Sequence, residues 1–103
     1  MLIKEMINYR LIITETAVNQ LEDSCLFYEE RKHGLGAELE QEVAELLELI
    51  EANPLMFAIK FATMREAVVK KFPFVIVYEI IERDILVVSV FHVKQNPIKK
   101  KKK

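Results

Sequence analysis

Residues 64–97 read MREAVVKKFPFVIVYEIIERDILVVSVFHVKQNP, and this stretch decides the fold. Three strands follow one another in it, at about Arg65–Lys71, Phe74–Ile81 and Ile85–His92. Each is a short run rich in Val, Ile and aromatic residues, bounded by breakers. Phe72-Pro73 separates the first from the second, because proline cannot donate to a strand ladder. Glu82-Arg83-Asp84 makes a tight hairpin between the second and the third. Alternation puts Phe74, Ile76, Tyr78 and Ile80 on one face of the second strand, and Val75, Val77, Glu79 and Ile81 on the other. In the third, Ile85, Val87, Ser89 and Phe91 share one face, and Leu86, Val88, Val90 and His92 the other. An antiparallel sheet with one wet face alternates apolar with polar residues. These strands are apolar on both faces, so each face needs a cover.

One cover is written upstream. Tyr9–Thr14 is short, β-branched and aromatic, and reads as a strand. Thr14 is suited to cap a helix, and Glu15 follows where the helix dipole favours an acid. Val18, Leu21, Cys25 and Tyr28 recur at helical spacing, with Ala17 and Phe27 widening the stripe. His33 falls in the last turn as a dipole-satisfying cap, and Gly34 is expected at the C′ position. A second helix spans Leu35–Ala52, with Leu39, Val43, Leu46, Leu47 and Ile50 on its apolar stripe, until Asn53-Pro54 stops it. Its other faces carry Glu38, Glu40, Glu42, Glu45, Glu48 and Glu51 with no basic residue between them. The short break around Gly34-Leu35-Gly36 folds the helices back as a hairpin. Pro54–Phe61 reads as a connection. The order β-α-α-β-β-β predicts an α+β domain, a helical hairpin packed on one face of a small, mainly antiparallel sheet. The first strand is expected at the sheet edge, where its backbone groups find partners.

At 103 residues the chain holds one domain, taken as 1–98, with a lysine tail at 99–103. A hydrophobic share of 51% is too high for disorder. The longest apolar run, Phe72–Ile81, is broken by Pro73 and Glu79, far short of the roughly 20 residues of a membrane span. The charged start MLIKEMINYR does not read as a secretory signal, which makes the cytoplasm the expected location. Cys25 is the only cysteine, which excludes an internal disulfide and a thiolate metal cluster. It reads as a small buried hydrophobe, with a nucleophile paired to His33 or His92 as the alternative.

The net charge of −1 hides an asymmetry. Residues 1–54 set four bases against twelve acids, and residues 55–103 set eleven bases against four acids. A basic pole of this kind suits an anionic partner, or it is a solvated tail that aids solubility. His33 and His92 have no carboxylate or thiol at ligand spacing, and Gly34 and Gly36 serve a turn rather than a phosphate loop. No metal and no cofactor are expected. Tyr9, Tyr28 and Tyr78 fit apolar patterns and read as core residues with satisfied hydroxyls.

The phrases YRLIITETAVNQLED, ERKHGLGAELEQEV, IEANP, MREAVVKKFPFVIVYEI and VVSVFHVKQNP stand in that order from Tyr9 to about Lys100. Together they resemble the RelE/ParE superfamily of toxins from type II toxin–antitoxin systems, nearer the ParE branch. The resemblance implies a cognate antitoxin as partner, in a hetero-oligomer, with a disordered segment folding onto the apolar face that lacks a cover. Val75, Val77, Ile81, Leu86, Val88, Val90 and Lys71 are the candidate residues for that contact.

Two toxic activities are implied, and they need different chemistry. ParE-like members inhibit DNA gyrase by binding. RelE-like members cleave mRNA on the ribosome, which needs a base, an acid and cations around a crowded phosphate. The candidates for that set are Lys70, His92, Lys94 and Arg65, with Lys71 beside them. Lys70 and Lys94 stand near where the RNA-cleaving branch keeps arginines, and lysine lacks their planar two-pronged donor. Gln95 stands where many relatives keep a further basic residue, and no tyrosine follows the last strand. His92 reads either as an acid or base or as a hydrogen-bonded strand end. Arg65 reads either as a phosphate ligand or as an anchor of the strand start against the acidic helices. Gyrase inhibition is therefore the leading expectation, ahead of ribonuclease activity and of a non-toxic module that only binds its partner.

Overall fold

Thr14 ends the first strand and starts the first helix. In the computed structural model, which describes residues 8–95, its backbone N–H donates to the carbonyl of Val87 at 3.0 Å. Its Oγ1 accepts the N–H of Ala17 at 3.1 Å, the expected helix cap. The elements are β1 (Arg10–Ile13), α1 (Glu15–Arg31), α2 (Leu35–Ala52), β2 (Ile59–Phe61), β3 (Met64–Val68), β4 (Phe74–Ile81) and β5 (Asp84–His92). A 3-10 turn, Val93–Gln95, follows β5. The expected tail at 99–103 lies outside the described residues.

The five strands form one mixed sheet in the order β1-β5-β4-β3-β2. β1 runs parallel to β5, and the other neighbours are antiparallel. The α+β architecture with a helical hairpin over one face is as expected, and β1 does join the edge. β2 is an addition. It lies in the stretch read as a connection and pairs irregularly with β3 through Ile59↔Arg65 and Phe61↔Met64. Three residues are too few to show alternation, so only the partner strand reveals it. β3 also stops at Val68 rather than Lys71. Val69 still donates to the carbonyl of Phe74 at 2.9 Å, and Lys70 to Pro73 form the loop.

The helix–helix turn differs in detail from its expected form. α1 ends on Lys32, whose N–H donates to Tyr28, and Gly34 instead precedes α2 with φ of +89°. The Glu29 carboxylate ties the turn together. It accepts the N–H of Gly34 at 2.8 Å and of Gly36 at 2.9 Å. The Nδ1 of His33 stands 3.2 Å from the same carboxylate, so His33 serves this clasp rather than the helix carbonyls. These contacts, the Gly34 N–H foremost, hold the Glu29 carboxyl below its ordinary range. Gly36 is buried where the helices touch. A Cβ there would lie 2.3 Å from the carbonyl oxygen of Cys25.

The core lies between hairpin and sheet. Leu39, Val43 and Ile50 of α2 meet Phe74, Ile76 and Tyr78 of β4, Ile85, Val87 and Val90 of β5, and Ala67. The buried Tyr78 hydroxyl donates to the carbonyl of Pro54 at 2.6 Å, and burial pushes its phenol upward. One bulge reshuffles the faces of β5. Val77 pairs with Ser89 but Tyr78 pairs with Val87, which leaves Val88 as the extra residue. Beyond it the alternation inverts, so Val90 faces the helices and Phe91 faces away.

Gly36→Ala must push two backbones apart, and a stability loss of about 1–3 kcal/mol is expected in urea unfolding. The Glu29 clasp gives a pH signature. A depressed carboxyl stabilises the fold above its unfolded pKa of about 4.3 and loses that effect as pH falls through the folded value. Glu29→Gln should therefore be less stable than the parent at pH 7, and the two melting temperatures should converge in acid below the ordinary carboxylate range.

Candidate functional sites

Of the expected cationic set, Lys70, His92 and Lys94 lie at one end of the sheet, where the Val93 N–H donates to the Pro73 carbonyl at 2.8 Å, and Arg65 stands apart from them. Lys70 and Lys71 lie exposed in the β3–β4 loop, and Lys71 Nζ reaches Glu42 at only 3.9 Å. His92 ends β5 opposite Phe74, and Lys94 sits in the turn beyond it. Arg65 pairs with Tyr78, four residues further along β4 from Phe74, or about 13 Å at roughly 3.3 Å per residue. Its Nη1 donates to the carbonyl of Phe57 at 2.6 Å and approaches that of Leu55 at 3.5 Å. Of its two readings the structure gives the anchor, and the groups anchored are loop carbonyls rather than carboxylates.

His92 and Lys94 do share a cleft. It has a volume of 450 Å³ and lies between α1 and the end of the sheet. Asp23, Ser24, Phe27 and Tyr28 line it from α1, with Phe74, His92 and Lys94 from the sheet end. The His92 ring stands edge-on to Phe74 at 5.4 Å. Its Nδ1 accepts the backbone N–H of Lys94 at 3.1 Å, so the neutral ring carries its proton on Nε2. Sequence reading missed Asp23, Ser24 and the cleft role of Phe27, because nothing local marks a helix residue that faces a strand end some 70 positions away.

A second groove of 360 Å³, lined mostly by aliphatic side chains, opens beside α1. Ala17, Val43, Val87 and Val90 belong to the buried core beneath it, Ile13 and Val18 are 40% and 37% exposed, and Glu22 and Glu40 also line it. Cys25 lines it too. Burial, then Glu40, pushes its thiol upward, which opposes a reactive thiolate.

The sheet face away from the helices is less open than expected. Val75 and Val77 are buried there with Phe91, and Met64, Val88 and Val93 pack against them. Val90, expected on this face, is only 1% exposed and belongs to the helix-side core because of the bulge. Leu86 is half-buried. The exposed apolar residues of the strands are Ile13, Ile59, Phe61, Val68 and Ile81, on the edge strands or at strand ends. Among the described residues no group of three or more His, Cys, Asp or Glu side chains could hold a metal ion. Among them, too, no helix is long and apolar enough to cross a membrane.

Comparison with known proteins places this geometry. No curated protein matches the chain. Among solved structures it is similar to the chromosomal ParDE toxin–antitoxin system from P. aeruginosa, with a TM-score of 0.72 at 15% identity, covering 82% of this chain and 95% of that one. It is also similar to the isolated E. coli RelE toxin, with a TM-score of 0.55 at 19% identity, covering 91% and 94%. At these identities the likeness establishes the fold, nearer the ParDE structure. The model of the ParE toxin of type II toxin–antitoxin systems matches residues 11–97. The chain belongs to the ParE toxin family.

Proposed function

We propose that this chain is a toxin that inhibits DNA gyrase by binding, and that a cognate antitoxin holds it inactive. The observation that carries the first half is the separation of Arg65 from the other candidate cations. Cleavage at a 2′-hydroxyl needs several charged groups converging on one phosphate. Here Arg65 is bonded to loop carbonyls about a dozen ångström along the sheet from the end where His92 and Lys94 sit. The centre of the face away from the helices is Val75, Val77 and Phe91, which cannot move protons. Binding makes no such demand.

The antitoxin reading rests on the family and on the apolar groove beside α1. Ile13 and Val18 are the exposed apolar parts of its lining, and a partner side chain set among them would bury area without disturbing the core. Ile81 and Val68 offer further apolar contact on the other face.

Purified protein added to a gyrase supercoiling assay and to a translation reaction read by primer extension tests the target. Supercoiling should fall with no new cleavage ends. Codon-periodic ends that vanish in Lys70→Ala, His92→Ala and Lys94→Ala variants would replace this reading with ribonuclease activity. Inactivity of the folded protein in both assays would leave an interaction module. The groove has its own test. Val18→Asp lies near the start of α1, where the dipole tolerates an acid, so the fold should persist. Affinity for the antitoxin should drop about 100-fold, a free energy near 2.7 kcal/mol.

A further inference from the structure

The 450 Å³ cleft between α1 and the sheet end carries opposite charges on opposite walls. Asp23 and Ser24 come from α1, and Lys94 comes from the turn after β5. Among the described residues neither Asp23 nor Lys94 has an ion-pair partner. Aromatic rings line the same cleft. Tyr28 and Phe74 lie 6.0 Å apart at a tilt of 59°, and His92 stands edge-on to Phe74 at 5.4 Å, so the three rings make one contiguous, faceted apolar floor. His92 is held through Nδ1, and its Nε2–H makes no other hydrogen bond among the described residues.

A complementary ligand brings a flat apolar body, a cation for Asp23 and an anion for Lys94. We propose that this cleft binds a free aromatic amino acid as its zwitterion. The ring rests on the aromatic floor, the ammonium meets Asp23 and Ser24, and the carboxylate meets Lys94 and the Nε2–H of His92. The volume falls within the range of about 300–1,000 Å³ typical of small-molecule sites. A nucleotide matches less well, because a phosphate of charge about −1.5 to −2 would face one ammonium and one carboxylate together. An aromatic side chain within a partner peptide would satisfy the floor alone. Its amine and carboxyl are consumed in peptide bonds, so both wall charges would lose water without gaining a partner. The site owes nothing to the choice of toxic target, and its test does not depend on toxicity.

The test is an NMR titration of the full chain, following backbone amide shifts, with guanosine monophosphate and with four amino-acid probes: L-tryptophan, N-acetyl-L-tryptophan, L-tryptophanamide and L-alanine. L-Tryptophan should give saturable shifts centred on Ser24, Tyr28, His92 and Lys94, with Kd at or below about 1 mM. Each of the other three amino-acid probes lacks one element of the match and should bind at least about tenfold more weakly. Asp23→Asn should erase the preference over the acetylated probe, and Lys94→Ala the preference over the amide. Both positions are exposed, so spectra outside the cleft should not change. Equal binding of N-acetyl-L-tryptophan would overturn the proposal in favour of a peptide anchor. Tighter binding of guanosine monophosphate would overturn it in favour of a nucleotide site. Absence of saturable shifts with every probe would reject a ligand site there.

Discussion

Strand β5 must satisfy backbone groups on both of its edges, and the rest of the structure is arranged to let it. β4 covers one edge along its whole length, but β1 is only four residues long and stops opposite Val87. An unpaired donor inside the molecule would cost about 1–3 kcal/mol. Helix α1 supplies what β1 lacks. Thr14 donates its N–H to Val87 and its hydroxyl to Val88, and the Gln20 amide oxygen accepts the N–H of Val90 at 2.8 Å and the Ser89 hydroxyl at 2.9 Å. The helix is therefore tied to the sheet by hydrogen bonds as well as by packing. That tie fixes both concave surfaces, since α1 forms a wall of the aromatic cleft and of the apolar groove.

The same strand shows how far a sequence can be read. Strand identity was legible, because dense β-branched runs between breakers leave few alternatives. Facing was legible in β4, whose alternation is unbroken, and only in the first half of β5. The extra residue at Val88 reverses everything after it, and no local residue type announces such a bulge. The doubly apolar strands looked like an open face in want of a partner. Because the bulge sends Val90 inward and Phe91 outward, Phe91 can join Val75 and Val77, and much of that face closes on itself.

Charge was legible as an amount and not as a position. The bases of residues 55–103 looked like one pole. The fold gives those it describes different neighbours: Arg65 serves the loop after α2, Lys71 stands near Glu42, and Lys94 faces the aromatic cleft. The acids of α2 separate in the same way. Glu38, Glu45, Glu48 and Glu51 are exposed and solvated, whereas Glu40 lines a groove and Glu42 is half-buried near a lysine.

Arg65 illustrates why a residue type in the right neighbourhood does not make a catalytic site. Its guanidinium spans the carbonyls of Phe57 and Leu55, in the loop that Tyr78 grips from below through Pro54. Releasing Arg65 toward a phosphate would strip those carbonyls of a charged donor, a bond worth about 1.5–3 kcal/mol. It would also loosen the connection into β2. A group held this way contributes to stability in the resting fold and is a poor candidate for transition-state work, which needs a donor aimed at the reacting atoms. The side chains of His92 and Lys94 are less bound: the His92 ring packs edge-on against Phe74 and accepts the Lys94 N–H, and the Lys94 ammonium faces the cleft. Polar side chains that the fold leaves uncommitted are therefore found at the end of the sheet, and the middle of the sheet is committed to holding the fold.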